Sequence, residues 1–131
     1  MNKCIDVALG LLRQADNVLI TQRSTRVDLP GLWEFPGGKQ QGAESIRQTL
    51  FRELNEELNI QVNDAQLVLS LWHQYPHANV LLHVFTVNEF SGSACGAEGQ
   101  PVRWVGENEL PDYNFPAAND AILALFRAGL L

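Results

Sequence analysis

The stretch that decides the fold is Gly37-Gly38-Lys39-Gln40-Gln41-Gly42-Ala43-Glu44-Ser45-Ile46-Arg47-Gln48-Thr49-Leu50-Phe51-Arg52-Glu53-Leu54-Asn55-Glu56-Glu57-Leu58-Asn59-Ile60. Ser45 followed three places on by Gln48 is a capping-box pattern, so a helix is predicted to begin there. Ile46, Leu50, Leu54 and Leu58 recur every fourth residue and give it an apolar stripe. Asn59 tolerates the left-handed conformation that ends helices. At about 100° per residue, Glu53, Glu56 and Glu57 fall within an arc of roughly 100° beside that stripe. Like charges so placed repel by a few tenths of a kcal/mol per pair in water, and Arg52 alone does not neutralise three acids. A hard divalent cation would, because magnesium takes oxygen ligands while keeping waters and phosphate oxygens. Gly37 and Gly38 let the backbone pass close to such an ion or phosphate. Read alone, a pair of adjacent glutamates is more simply a solvated helix face after a glycine turn.

Working outward, Ile5 to Leu12 is rich in Ile, Val and Leu, as a buried strand would be. Gln14-Ala15-Asp16-Asn17 is a polar turn, and Val18 to Arg23 reads as the returning strand of a hairpin. Ser24 to Gln41 is loop-like, punctuated by Pro30, Gly31, Pro36, Gly37 and Gly38, with Trp33 and Phe35 implying a packed loop. After the helix, Leu67 to Trp72, Asn79 to Val87 and Val102 to Val105 read as strands, with Ser91-Gly92 as a turn. Pro116 and Asn119 precede a second helix, Asp120 to Ala128, with Gly129 at its C-terminal cap. The order of strands, helix, strands, helix predicts an α+β domain spanning residues 1–131, in α/β/α layers with a mixed β-sheet between helices.

Composition narrows the partners. At 131 residues, 46% hydrophobic and 18% charged, the chain reads as an ordinary soluble globular domain. No apolar run approaches the roughly 20 residues of a membrane span, and residues Met1 to Asp6 do not resemble a secretory signal. Cys4 and Cys95 have no partner at metal-ligand spacing and read as free thiols in a reducing cytoplasm. His73, His77 and His83 show no ligand signature and read as surface or strand residues. A formal net charge of -6 is wrong for binding a nucleic-acid polymer, where cationic side chains replace counterions. It does not exclude nucleotides, since carboxylates that hold divalent cations would then attract phosphates.

The segment resembles the Nudix box, G-x5-E-x7-R-E-U-x-E-E-x-G-U, where U is bulky and aliphatic. Gly38, Glu44, Arg52, Glu53, Leu54, Glu56, Glu57 and Ile60 match at the required spacing; Asn59 stands where the family has Gly. The resemblance implies a Nudix fold, Mg²⁺ or Mn²⁺ dependence, and hydrolysis of a nucleoside diphosphate linked to another group. It makes Glu53 and Glu57 the principal metal ligands. Glu56 is a further ligand or positions water, and the Gly37 or Gly38 carbonyl completes the shell. Glu44 and Arg52 brace the loop–helix geometry through an ion pair. The general base stays unassigned among Glu53, Glu56 and Glu57.

Outside the box, three further segments are similar to the MutT branch of that family, which hydrolyses 8-oxo-dGTP to the monophosphate and pyrophosphate. They are Leu32 to Lys39, Ala97 to Pro101 and Phe115 to Asn119. Phe35 is then a wall of the base pocket, although alone it reads as core. Asn119 reads the purine edge, although alone it is an N-cap. An amide both donates and accepts, which suits the O6 acceptor and N7–H donor of the oxidised base. Arg23 is a phosphate or sugar contact, or else a surface strand residue. Glu98 is a metal ligand, or else a solvated loop acid.

The resemblance therefore implies a nucleoside triphosphate pyrophosphohydrolase that cleanses the nucleotide pool of 8-oxo-dGTP, and the chain is expected to act as a cytoplasmic monomer. One alternative is a relative preferring CTP, dCTP or 5-methyl-dCTP. Another is a non-catalytic Nudix-like binding domain, against which the retained Glu53, Glu56 and Glu57 argue.

Overall fold

The computed structural model describes residues 3–23 and 31–131. Met1, Asn2 and residues 24–30, which hold much of the expected loop after Arg23, lie outside the described residues. Among the described residues no helix is long and apolar enough to cross a membrane.

The central strand is β1 (Lys3–Gln14), and its length lets it serve several neighbours. It runs parallel to β6 (Ala78–Ser91) from Lys3↔Ala78 to Leu12↔Val87. It is antiparallel to β4 (Gly37–Lys39) through Val7↔Lys39, Ala8↔Gly38 and Leu9↔Gly37. At its far end it turns into β2 (Asn17–Gln22), pairing Arg13 with Val18. β3 (Trp33–Glu34) and β7 (Val102–Gly106) both join β2, and β5 (Gln61–Tyr75) lies outside β6. The order β3-β2-β1-β6-β5 therefore mixes parallel and antiparallel pairs, as the element order implied.

Side chains alternate across this sheet with period two. On one face Ala8, Leu12, Leu19, Phe85 and Val87 meet α1 (Ile46–Leu58), whose Leu50, Leu54 and Leu58 have no exposed surface. Each such leucine contributes about 1.5–3 kcal/mol by its burial. On the opposite face Leu9, Leu11, Val18, Ile20 and Val84 meet Ile122 and Phe126 of α2 (Asp120–Arg127). The sheet lies between the two helices, each sealing one apolar face.

The ends of α1 follow its sequence. Gln48 N–H donates to Ser45 Oγ at 3.1 Å, and Ser45 N–H donates to Gln48 Oε1 at 2.7 Å. Asn59 closes the helix at φ 56°, ψ 39°, the left-handed geometry expected of it. Gly129, at φ 72°, follows α2.

Two expectations need correction. The loop from Ser24 to Gln41 contains β3 and β4, which are too short and too rich in glycine to show an alternating pattern. They form because β2 and β1 offer partners: Gln22↔Trp33 and Thr21↔Glu34 on one side, Leu9↔Gly37 on the other. β5 and β6 also extend well beyond the apolar runs that announced them. Gln61, Asn63, Asp64 and Gln66 of β5 face solvent, so the strand's first half carries no continuous apolar signature, and irregular register near Asp64 breaks its period.

Candidate active site

Two neighbouring features meet at the junction of β1, β4 and α1: a carboxylate cluster and a deep cavity.

The cluster is held by backbone that only glycine allows. Gly37 adopts φ 153°, and its N–H donates to Glu57 Oε2 at 3.1 Å. A Cβ there would overlap the Ala8 carbonyl oxygen and lie 2.9 Å from Leu9 Cα. A Cβ on Gly38 would lie 2.6 Å from both oxygens of Glu53. The β4 backbone is thus pressed against the two helix carboxylates.

Arg52 organises the surrounding acids. Its Nε donates to Glu44 Oε2 at 3.0 Å and its Nη2 to Glu44 Oε1 at 2.8 Å, a two-pronged pair. Nη2 also reaches the Lys39 carbonyl at 3.0 Å, while Nη1 reaches Glu53 Oε1 at 2.9 Å and Glu56 Oε2 at 3.3 Å. Thr49 Oγ1 and the Gln41 N–H donate to Glu44 as well. The hydrogen bond from Arg52 leads the causes that lower Glu44 to about 2.

The other acids respond to a different environment. Burial raises Glu53 above the ordinary carboxylate range, against the pull of Arg52, and the charges of Glu56 and Glu98 add to the rise. Burial pushes Glu57 up to about 8, against the hydrogen bond from Gly37, and Glu53, Glu34 and Glu98 add to it. Glu56 and Glu98 are exposed. Glu98 sits in the loop 92–101, close enough for its charge to be felt by both helix carboxylates.

All the donors here are oxygens, and the raised acids are buried first of all, with neighbouring negative charge adding to the rise. That chemistry fits a hard divalent cation, with Glu53, Glu57 and the Gly37–Gly38 backbone nearest to it. Among the described residues no three His, Cys, Asp or Glu side chains close around one point as a ready-made cage. An ion that keeps waters and phosphate oxygens in its shell does not need one.

Beside the cluster opens a cavity of about 650 Å³. Val7, Leu9, Val80, Leu82 and Phe35 give it apolar walls, Gly37 and Gly38 border it, and Arg23, Glu34 and Asn119 add polar groups. Phe35 is both core and wall: 1% exposed, it stacks on Phe115 at 5.2 Å and Phe126 at 6.1 Å. Arg23 Nε donates to Glu34 Oε2 at 2.9 Å.

The simple reading of Asn119 as a helix cap is corrected here. It precedes α2, yet its backbone is already helical at φ -93°, ψ -3°, and its side chain makes no capping hydrogen bond. The residue is 7% exposed, and among the described residues its Oδ1 has no hydrogen-bond partner. A buried acceptor without a donor costs about 1–3 kcal/mol, and Asn119 is one of the residues that line the cavity.

Arg23, Phe35, Gly37, Gly38 and Asn119 are therefore brought to one cavity, and Glu53 and Glu57 lie against the two glycines that border it. Sequence reasoning passed over Glu34, Tyr75 and His77, which also line it. Glu34 stood inside a quoted motif without a role. His77 is an exposed turn residue, as expected, but the β5–β6 connection carries it to the cavity rim, which local pattern does not reveal.

Known proteins resemble this chain over nearly its whole length. The profile of the NUDIX domain matches residues 7–125. An 8-oxo-dGTP diphosphatase of Haemophilus influenzae is 36% identical over 122 residues, covering 92% of this chain and 90% of that protein. A CTP pyrophosphohydrolase of Escherichia coli is 34% identical over 126 residues, covering 96% and 93%. A solved MutT structure, from a study of Aliivibrio salmonicida and Vibrio cholerae, superposes with TM-score 0.84 at 32% identity, covering 97% of this chain and 99% of that one.

Proposed function

From the premise that the chain belongs to the Nudix family, as a hydrolase acting on acid anhydrides, we propose that its substrate is 8-oxo-dGTP, cleaved to 8-oxo-dGMP and pyrophosphate. The observation that carries this reading is the buried, unpartnered Oδ1 of Asn119 at a cavity walled by Phe35. A flat aromatic ligand suits those walls, and the orphan acceptor asks that ligand for an N–H. Oxidation of guanine turns N7 from an acceptor into a donor, so the damaged base supplies what the ordinary one lacks at that edge.

Nudix hydrolases generally need a divalent metal, and here Mg²⁺ or Mn²⁺ would be held by Glu53 and Glu57, with Glu56, Glu98 and a Gly37 or Gly38 carbonyl as further donors. When bound, the ion neutralises phosphate charge and lowers the pKa of a water molecule. The protein's own residues do the rest. Phe35 and the apolar walls hold the base, Asn119 orients it, and Arg23 offers its guanidinium to phosphate or sugar oxygens. Arg52 and Glu44 keep the glutamates and β4 in register. Water oxygen adds to the β-phosphorus and the bond to the α–β bridging oxygen breaks. The nucleoside monophosphate leaves with that oxygen, and pyrophosphate carries the new one. The enzyme would work as a cytoplasmic monomer spanning residues 1–131, without a nucleic-acid polymer or membrane.

The CTP-directed reading has a specific support, the 34% identity to a CTP pyrophosphohydrolase. Cytosine also presents an amino donor. Pyrophosphate release with Mg²⁺ from 8-oxo-dGTP, dGTP, dCTP, 5-methyl-dCTP and CTP tests both. A kcat/KM for 8-oxo-dGTP above all others is the expected result; preference for a pyrimidine would replace it with the second reading.

A further inference from the structure

The carboxylates of the cluster come from two places, helix α1 and the exposed loop that carries Glu98, and something must keep the two in register. The helix end supplies the anchor. The last carbonyls of an α-helix have no partner within it, and here the loop provides partners. Cys95 N–H donates to the Leu58 carbonyl at 3.0 Å, and Ala97 N–H donates to the Glu57 carbonyl at 2.9 Å. The Gln100 side chain adds a second bond to the same carbonyl, Nε2 to Glu57 O at 2.8 Å. With its other atom it turns back on the loop, where Glu98 N–H donates to Gln100 Oε1 at 3.0 Å.

One primary amide thus joins the main chain of Glu57 to the main chain of Glu98. Its orientation is fixed, because a carbonyl takes only the NH₂ end and an N–H only the oxygen. The loop has little slack: a Cβ on Gly96 would overlap the Gln100 carbonyl oxygen, and Gly99 takes φ 84°. Glu98 is exposed and makes no ion pair among the described residues, so the charge it presents to Glu53 and Glu57 depends on where this loop is held.

The geometry points to Gln100 as a positioning residue that couples Glu98 to the metal-holding helix and so sets the affinity for the divalent cation. The inference rests on the reading of Glu98 as a donor to that ion. Gln100 touches neither the substrate nor the ion; it acts through the backbone on each side. Replacing groups that orient a ligand costs about 10–100-fold in metal affinity, and Gln100→Ala falls at the lower end because Ala97 and Cys95 keep their bonds.

The test is calorimetric titration of the folded proteins with Mn²⁺ alone, each checked by thermal melting. Gln100→Ala should bind Mn²⁺ about 10-fold more weakly than wild type. Gln100→Glu should be at least as weak, since a carboxylate accepts from Glu98 N–H but cannot donate to the Glu57 carbonyl. Glu98→Gln should also weaken binding, and adding Gln100→Ala to it should cost nothing more. Wild-type affinity in both Gln100 variants, with Glu98→Gln impaired, would overturn the positioning role and leave Glu98 as a ligand. Wild-type affinity in Glu98→Gln would remove the Glu98 reading and the inference together. A lower melting temperature with unchanged Mn²⁺ affinity would reduce Gln100 to a loop tie.

Discussion

Gly38 and Glu53 touch so closely that any side chain on the glycine would enter the glutamate's carboxylate: a Cβ there would stand 2.6 Å from both of its oxygens. Gly37, one residue earlier, is confined by main chain instead, with Leu9 Cα at 2.9 Å from the corresponding position. Adjacent glycines therefore guard different things. Gly38→Ala should displace a movable carboxylate, lowering kcat/KM about 100-fold, as an ångström of misplacement does, with a small change in melting temperature. Gly37→Ala should lower the melting temperature markedly, because Ala8 and Leu9 of the central strand must move. Thermal melts and initial rates on the two variants separate these outcomes. Full activity in Gly38→Ala would sever Glu53 from the chemistry.

Glu53→Gln should lose about 100-fold or more in turnover, a ligand counting for at least as much as the groups that orient it. Metal-free stability should hold or rise, since burial already disfavours the charged form and the amide removes its repulsion with Glu56. The measurement is rate and unfolding midpoint on the same preparation. Near-normal turnover would refute the assignment.

The raised Glu57 gives a pH dependence with a definite sign. Its carboxyl stands at about 8 in the metal-free fold against 4.5 ordinarily, so between those values the native chain holds a proton that the unfolded chain has lost. Stability from this group is fully present below the ordinary value and declines as pH rises through about 8. A cation must displace the same proton, so its affinity should climb with pH until about 8 and then level. Mn²⁺ titrations at several pH values, in buffers of different ionisation enthalpy, should show proton release that Glu57→Gln reduces. A pH-independent affinity would mean that the carboxyl is already ionised.

Asn119→Ala removes the amide from the cavity. The expected loss is about 1–3 kcal/mol in transition-state binding, roughly 5- to 150-fold in kcat/KM for 8-oxo-dGTP, with dGTP affected much less. Melting temperature should not fall, since an unpaired buried acceptor is deleted along with the side chain. Equal losses on the two substrates would assign Asn119 to general cavity shape rather than to base reading.

Helix α1 could be read from sequence down to its caps, because Ser45, Gln48 and Asn59 act within a few residues of themselves. The Glu44–Arg52 pair came instead from the family resemblance, since it joins the segment before the helix to a residue inside it. β3 and β4 escaped because short strands owe their existence to partners elsewhere in the chain, here β2 and β1. Asn119 illustrates the middle ground. Its neighbourhood in sequence suggests a helix cap, and only the folded chain shows the side chain turned away from that task. Gln100 stood within the quoted stretch Ala97 to Pro101 without a role, and its bond to the Glu57 carbonyl closes over 43 positions and leaves no local pattern.

The sheet divides labour between its faces. Acids ride on α1 and on a loop tied to its end, whereas the cavity's apolar walls and Asn119 belong to the side covered by α2. Gly37 and Gly38 of β4 touch both, bordering the cavity and contacting Glu57 and Glu53. Substitutions in the apolar walls should therefore alter which base is held more than they alter the carboxylates carried by α1.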